Sequence, residues 1–265
     1  MARRLLTAHA VVVYAFLYLP VAVVVLYAFN GGRQTLVWEG FSTKWFGRAL
    51  RDDSVTDALR NSLVIAAGNA LVAAVLGTML ALALPRMRPL VRVPVDALVT
   101  MTLVTPEIVF GIAALVFFAE TGVELGLKTV LIAHVVFNAS VVALVVRARF
   151  VGMGQALEEA SYDLGAAPLA TFRQITLPRL APAVLAGGLL AFTFSFDDFY
   201  TSFFVSGAGT TTLPLFIFSS LRFGVSPVVN ATAALVLALT LAAVVVAYVV
   251  LRRSAERTTG SVPGL

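Results

Sequence analysis

The feature that most limits what this chain can fold into is a series of long stretches free of charged residues. They run from Leu5 to Gly32, Asn61 to Pro85, Thr129 to Val146, Leu180 to Phe196 and Phe223 to Leu251. A further block, Ala97 to Ala119, is interrupted only by Glu107. A bilayer core is crossed by about 17–25 residues of helix, so each block has the length of a span. With 60% of its residues hydrophobic and 12% charged, the chain is far from a soluble domain, in which about 25% are charged. The pattern predicts an all-α polytopic membrane protein in one transmembrane domain, with helices near 8–29, 61–84, 96–119, 128–147, 182–204 and 228–251.

Six spans leave both termini on one side. With the N-terminus inside, the inner segments carry twelve Lys and Arg and the outer ones seven, which favours cytoplasmic termini. Most of the outer positive residues fall between Arg33 and Arg60, where Glu39, Asp52, Asp53 and Asp57 offset them. The first apolar run follows Arg3 and Arg4 and exceeds the roughly 7–15 residues of a secretory signal core, so an uncleaved anchor is expected. In the outer loop, Trp45, Phe46, Ala49 and Leu50, then Val55, Ala58 and Leu59, have the spacing of an apolar helical face lying along the membrane surface.

Several functions are excluded. There is no cysteine, and His9 and His134 lie far apart, so no disulfide, metal centre or other cofactor is expected. The net charge of +5 comes from Arg beside apolar blocks, without a basic run or an aromatic platform, which argues for membrane topology and against nucleic acid. A phosphate-binding loop needs Gly before its Lys, whereas Lys44 follows Thr43 and Lys128 follows Leu127. An intramembrane enzyme would need a nucleophile and base or a metal set, and none is apparent in the spans. A secondary carrier would usually show two related halves with broken helices, and no such repeat is visible.

Charged groups inside spans are costly and tend to be functional, which singles out Glu107, Asp197 and Asp198. Counting about 1.5 Å of rise per residue from the inner helix ends puts Glu107 roughly 17 Å deep and Asp197 roughly 23 Å deep. Consecutive helical residues point about 100° apart, so one aspartate faces a pathway while the other bonds a neighbouring helix. Phe192, Phe194, Phe196, Phe199 and Tyr200 supply rings able to hold an ammonium by cation–π attraction. The plainer alternative is that the acidic pair caps a helix break and that Phe192 and Phe194 face lipid or other helices.

The inner loop, 150–180, carries Glu158 to Pro178, EEASYDLGAAPLATFRQITLP. Glu158 and Glu159 suit the first turn of a short helix, Gly165 its end, and Pro168 the start of a second. Phe172, Ile175 and Leu177 leave an apolar knob that either packs on its own domain or docks a partner. Glu159-Ala160-Ser161, Gly165, Ile175, Leu177 and Pro178 match, at every spacing, the EAA signature of binding-protein-dependent ABC importer permeases. Ser161 stands where the signature has Ala. The resemblance implies the type I, MetI-like permease fold and a place in a bacterial inner membrane. It also implies that Glu159, Ala160, Ser161, Gly165, Ala166, Pro168, Phe172, Ile175, Leu177 and Pro178 form the coupling element for an ATPase. Implied partners are a second permease, related or identical, two ATP-binding subunits, an extracytoplasmic solute-binding protein and membrane lipid.

Phe192 to Phe204, Leu213-Pro214-Leu215, Phe223 to Pro227 with Asn230, and Thr105 to Val109 resemble the spermidine/putrescine permeases of the PotC type. That likeness implies a polyamine substrate passing Glu107, Asp197, Asp198, Phe199 and Tyr200. Another organic cation, an aminophosphonate or a metal chelate remain alternatives.

Overall fold

A computed structural model describes residues 2–33, 37–154, 156–222, 224 and 226–259, the last fourteen as backbone only; Phe223 and Val225 lie outside this set. The described residues are nearly all helical. In chain order they form α1 (Ala2–Ala28), α2 (Lys44–Ala49), α3 (Asp53–Ala83), α4 (Pro89–Val104), α5 (Glu107–Glu120) and α6 (Leu127–Gly152). Then come α7 (Ala156–Asp163), α8 (Pro168–Thr171), α9 (Leu177–Asp197), α10 (Tyr200–Val205), α11 (Leu213–Arg222) and α12 (Pro227–Thr259).

Four segments are long and apolar enough to cross a membrane: Arg3–Ala28, Asp53–Arg86, Leu127–Gly152 and Pro168–Asp197. A fifth is made by α4 and α5 together, bent by 115° at their junction. The expected straight helix over 96–119 is therefore corrected to two helices. Pro106 has no amide hydrogen to donate and forces Thr105 out of the helical region, to φ −63° and ψ 128°. A second break separates α9 from α10, where Asp198 is extended at φ −66° and ψ 121°. Irregular backbone at membrane depth is tolerated where it is buried in protein or lines a cavity.

Two further boundaries differ from expectation. The helix expected from 61 begins at Asp53, because Asp52 Oδ1 accepts the Ser54 amide at 2.9 Å and the Asp52 carbonyl accepts those of Val55 and Thr56. Val55, Ala58 and Leu59 thus belong to α3, and of the expected surface helix α2 alone is separate. The helix expected from 182 begins at Pro168 and runs through α8, a π turn (Phe172–Thr176) and α9 as one 30-residue segment.

The chain divides into two compact units. The first comprises Met1–Leu59 and Leu213–Ala243. Its core gathers Ala28, Trp45, Ala49 and Ala231. The Trp45 indole donates to the carbonyl of buried Asn30 at 2.7 Å, while Asn30 Oδ1 accepts the Glu39 amide at 2.8 Å and ties down the loop after α1. The second unit comprises Arg60–Thr212 and the chain from Val244. In it α3, α6 and α9 pack through Ala73, Ala81, Val142, Val146, Leu180 and Ala191. Close helix approach needs small residues. A Cβ on Gly77 would lie 2.6 Å from the Ala139 carbonyl oxygen and from Val142. Around Val130, a second cluster joins α3, α5, α6 and α10.

Candidate functional site

The loop between α6 and α9 is a hairpin of two short helices. Glu158 and Glu159 occupy the first turn of α7, where the free amide hydrogens favour negative charge. Its end is a Schellman motif: Gly165 adopts φ +81°, its amide donates to Tyr162 O at 2.9 Å, and the Ala166 amide donates to Ser161 O at 3.0 Å. Pro168 then opens α8. Side chains tie the hairpin together. Ser161 Oγ lies 2.9 Å from Thr171 Oγ1, Thr176 Oγ1 donates to Glu158 Oε1 at 2.6 Å, and Arg179 Nη2 donates to Met153 O at 3.0 Å. The Ser161 departure from the family signature thus supplies a hydroxyl that links α7 to α8.

Glu159, Ala160, Gly165, Pro168, Leu177 and Pro178 are exposed, whereas Ser161, Ala166, Phe172 and Ile175 are half-buried. The apolar knob expected at Phe172, Ile175 and Leu177 is corrected in part. The π turn carrying Phe172 and Ile175 packs against α7 and α9, and the most exposed apolar groups of α7, α8 and the turn between them are Leu164, at 89%, and Leu169, at 68%.

Of the three intramembrane acids, Glu107 opens α5 and Asp197 closes α9; both are exposed and neither is hydrogen-bonded among the described residues. The bend before Glu107 removes the straight helix on which its expected depth rested. Asp198 lies in the break between α9 and α10, with its side chain 11% exposed. Its Oδ2 accepts the Ser202 amide at 2.7 Å and meets His134 Nε2 at 3.0 Å, while Oδ1 accepts the Thr201 amide at 3.3 Å. Asp198 therefore caps α10 as an N-cap side chain does. His134, buried on α6, also sits 2.7 Å from Ser195 Oγ through Nδ1. Because Nε2 faces a carboxylate, it carries a hydrogen; in the neutral ring Nδ1 then accepts from the Ser195 hydroxyl.

Sequence reasoning missed His134. The available signal was a lone imidazole in a charge-free span, a group that needs polar partners wherever it is buried. Ser195, His134 and Asp198, which spacing along the chain does not bring together, follow one another at hydrogen-bond distance. Ser195 is 5% exposed, and Asp198 is committed to a helix cap. The adjoining cavity of about 20 Å³ admits a group the size of one water. Ser195 is not among the residues that line that cavity.

That cavity is lined by Glu107, His134, Phe137, Asn138, Phe194, Asp198 and Thr201. Gly111 makes the arrangement possible, for a Cβ there would stand 3.2 Å from the Tyr200 carbonyl, so α5 lies directly on α10. Phe199 and Tyr200 meet edge to face at 5.4 Å, and Tyr200 is 47% exposed. Phe192 stacks on Phe196 at 5.8 Å.

The family model for the binding-protein-dependent transport system inner membrane component matches residues 73–259. The putrescine transport system permease protein PotI of Escherichia coli K12 is 42% identical over 231 residues, 84% of this chain and 82% of that protein. The spermidine/putrescine transport system permease protein PotC of the same strain is 37% identical over 250 residues, 94% of this chain and 95% of that protein. PotC of Haemophilus influenzae is 38% identical over 243 residues, 92% and 95% of the two chains. In fold, the chain is similar to a bacterial ABC transporter importing the acidic polysaccharide alginate, with a TM-score of 0.74 at 16% identity over 94% and 95% of the chains. It is also similar to an inward-facing MetNI methionine ABC transporter, with a TM-score of 0.64 at 19% identity over 74% and 94%. A family match over most of the chain and relatives alike over most of their length agree with the bent, broken helices and the signature loop: the chain belongs to the inner membrane permeases of binding-protein-dependent ABC importers.

Proposed function

We propose that this chain is the membrane-spanning subunit through which an ATP-driven importer passes a polyamine, putrescine or spermidine, delivered by an extracytoplasmic solute-binding protein. The carrying observation is the group of three carboxylates at two helix breaks: Glu107 and Asp198 line one cavity whose described lining holds no Lys or Arg, and Asp197 stands exposed next to Asp198 in the chain. Carboxylates and exposed aromatic faces suit a flexible polycation, and the names of the similar permeases agree. An anionic aminophosphonate would meet the same three charges unfavourably.

The complete importer pairs this chain with a second permease and two ATP-binding subunits. Leu164, Leu169 and the hairpin that presents them are the surface offered to the ATPase, with apolar groups rimmed by Glu159 and Arg173. The hairpin is continuous with the 30-residue segment that ends at Asp197, about 45 Å of helix. A push at the cytoplasmic end thereby reaches the acids, and ATP binding and hydrolysis alternate the access of the cavity. In this reading both termini are cytoplasmic.

The test is reconstitution of the assembled importer in vesicles with its binding protein. ATP-dependent uptake of radiolabelled putrescine or spermidine is expected. Uptake driven by an ion gradient without ATP, or no polyamine uptake by an intact complex, would reject the proposal.

A further inference from the structure

Two asparagines link the helices of the second unit in a way whose orientation is forced. Asn69 Nδ2 donates to the Ala191 carbonyl at 2.8 Å, which can only accept, so Asn69 turns its oxygen towards α6. Asn138 must therefore present its amide nitrogen to Asn69, and does so at 3.4 Å. That leaves Asn138 Oδ1, on a residue 2% exposed, without a partner among the described residues. An unmet buried acceptor is costly, so something with a hydrogen to give belongs there.

Asn138 also lines the 20 Å³ cavity beside Glu107 and Asp198. The imidazole hydrogen of His134 is already committed to Asp198. The cavity is thus lined by the acceptors of Glu107, Asp198 and Asn138, with the Thr201 hydroxyl and the rings of Phe137 and Phe194. Of its lining residues, Glu107 and Phe194 are exposed.

We infer that Asn138 is the neutral third acceptor of a pocket for one primary ammonium head, with Asn69 as the positioning residue that aims it. This rests on the polyamine reading above and adds to it a specificity element: a head with three N–H donors matches three acceptors, and a quaternary head matches none.

The test is equilibrium binding of radiolabelled putrescine to the assembled permease–ATPase complex in lipid nanodiscs, with the binding protein withheld so that it does not set the affinity. Asn138→Ala should weaken binding about tenfold or more, the usual loss for a hydrogen bond to a charged group. Asn69→Ala should weaken it less. Fully N-methylated putrescine should bind the wild type at least tenfold more weakly and ignore Asn138→Ala. Equal affinities for wild type and Asn138→Ala would mean that the cavity holds water alone and would overturn the inference. If Asn138→Ala does not assemble, the two diamines compared on the wild type decide: equal affinities overturn it. Failure of the polyamine reading has a different signature, namely a wild-type complex that assembles but imports no putrescine.

Discussion

Asp197 and Asp198 are neighbours in sequence, yet the structure predicts that neutralising them has opposite consequences. Asp198→Asn keeps the shape but replaces one oxygen by a donor, which then faces a backbone amide or the His134 N–H, all of which are donors. Asp198 accepts hydrogen bonds from two backbone amides and the imidazole, and a hydrogen bond to a charged group is worth about 1.5–3 kcal/mol, whereas a protein is held by only about 5–15 kcal/mol. Losing two of them at the lower value, about 3 kcal/mol, costs the intact arrangement of α9 and α10 a factor of about 100 in its equilibrium. Asp197→Asn breaks no hydrogen bond, so its effect on assembly should stay within about 0.5 kcal/mol. A cation passing an exposed carboxylate at about 4 Å in a wet path gains about 1 kcal/mol, so uptake per assembled complex should fall about fivefold. The assay separates the two quantities: monodisperse complex recovered by size-exclusion chromatography, and polyamine uptake normalised to it. Depleted complex for Asp197→Asn, or full assembly and transport for Asp198→Asn, would refute the division of labour.

Gly165→Val forces a β-branched residue into the left-handed region at φ +81°, at about 1–2 kcal/mol, and should lower substrate-stimulated ATP hydrolysis together with uptake; Gly165→Asn, which tolerates that region, should retain most of both. Gly77→Leu drives a side chain into the Ala139 carbonyl and Val142, and should lower the melting temperature of the complex by the equivalent of about 1–3 kcal/mol. Single cysteines at Asp52 and Thr210 in this naturally cysteine-free chain should react with a membrane-impermeant maleimide added to whole spheroplasts; protection there with labelling in inverted vesicles would reverse the proposed orientation.

Much of the architecture is written in the sequence because the bilayer imposes a length and a polarity that a linear string displays directly. The spacing from Glu159 to Pro178 is equally legible, since Gly165 and Pro168 mark a turn through local backbone rules that need no tertiary partner. The bend at Pro106 had its local signal too, but hydropathy over 96–119 averaged across it. The start of α9 at Pro168 was hidden for another reason: Arg173, Gln174 and Arg179 lie on a helix beyond the apolar block, where hydropathy does not register helical structure. What tertiary structure alone decided is which side chains meet. His134 finds Ser195, Asp198 and Ser202 across 61–68 residues of chain, and Asn138 finds Asn69 across 69. Charge and spacing mark a costly polar group, but its partners depend on helix rotation and on the break after Asp197, which separates a capped aspartate from an open one.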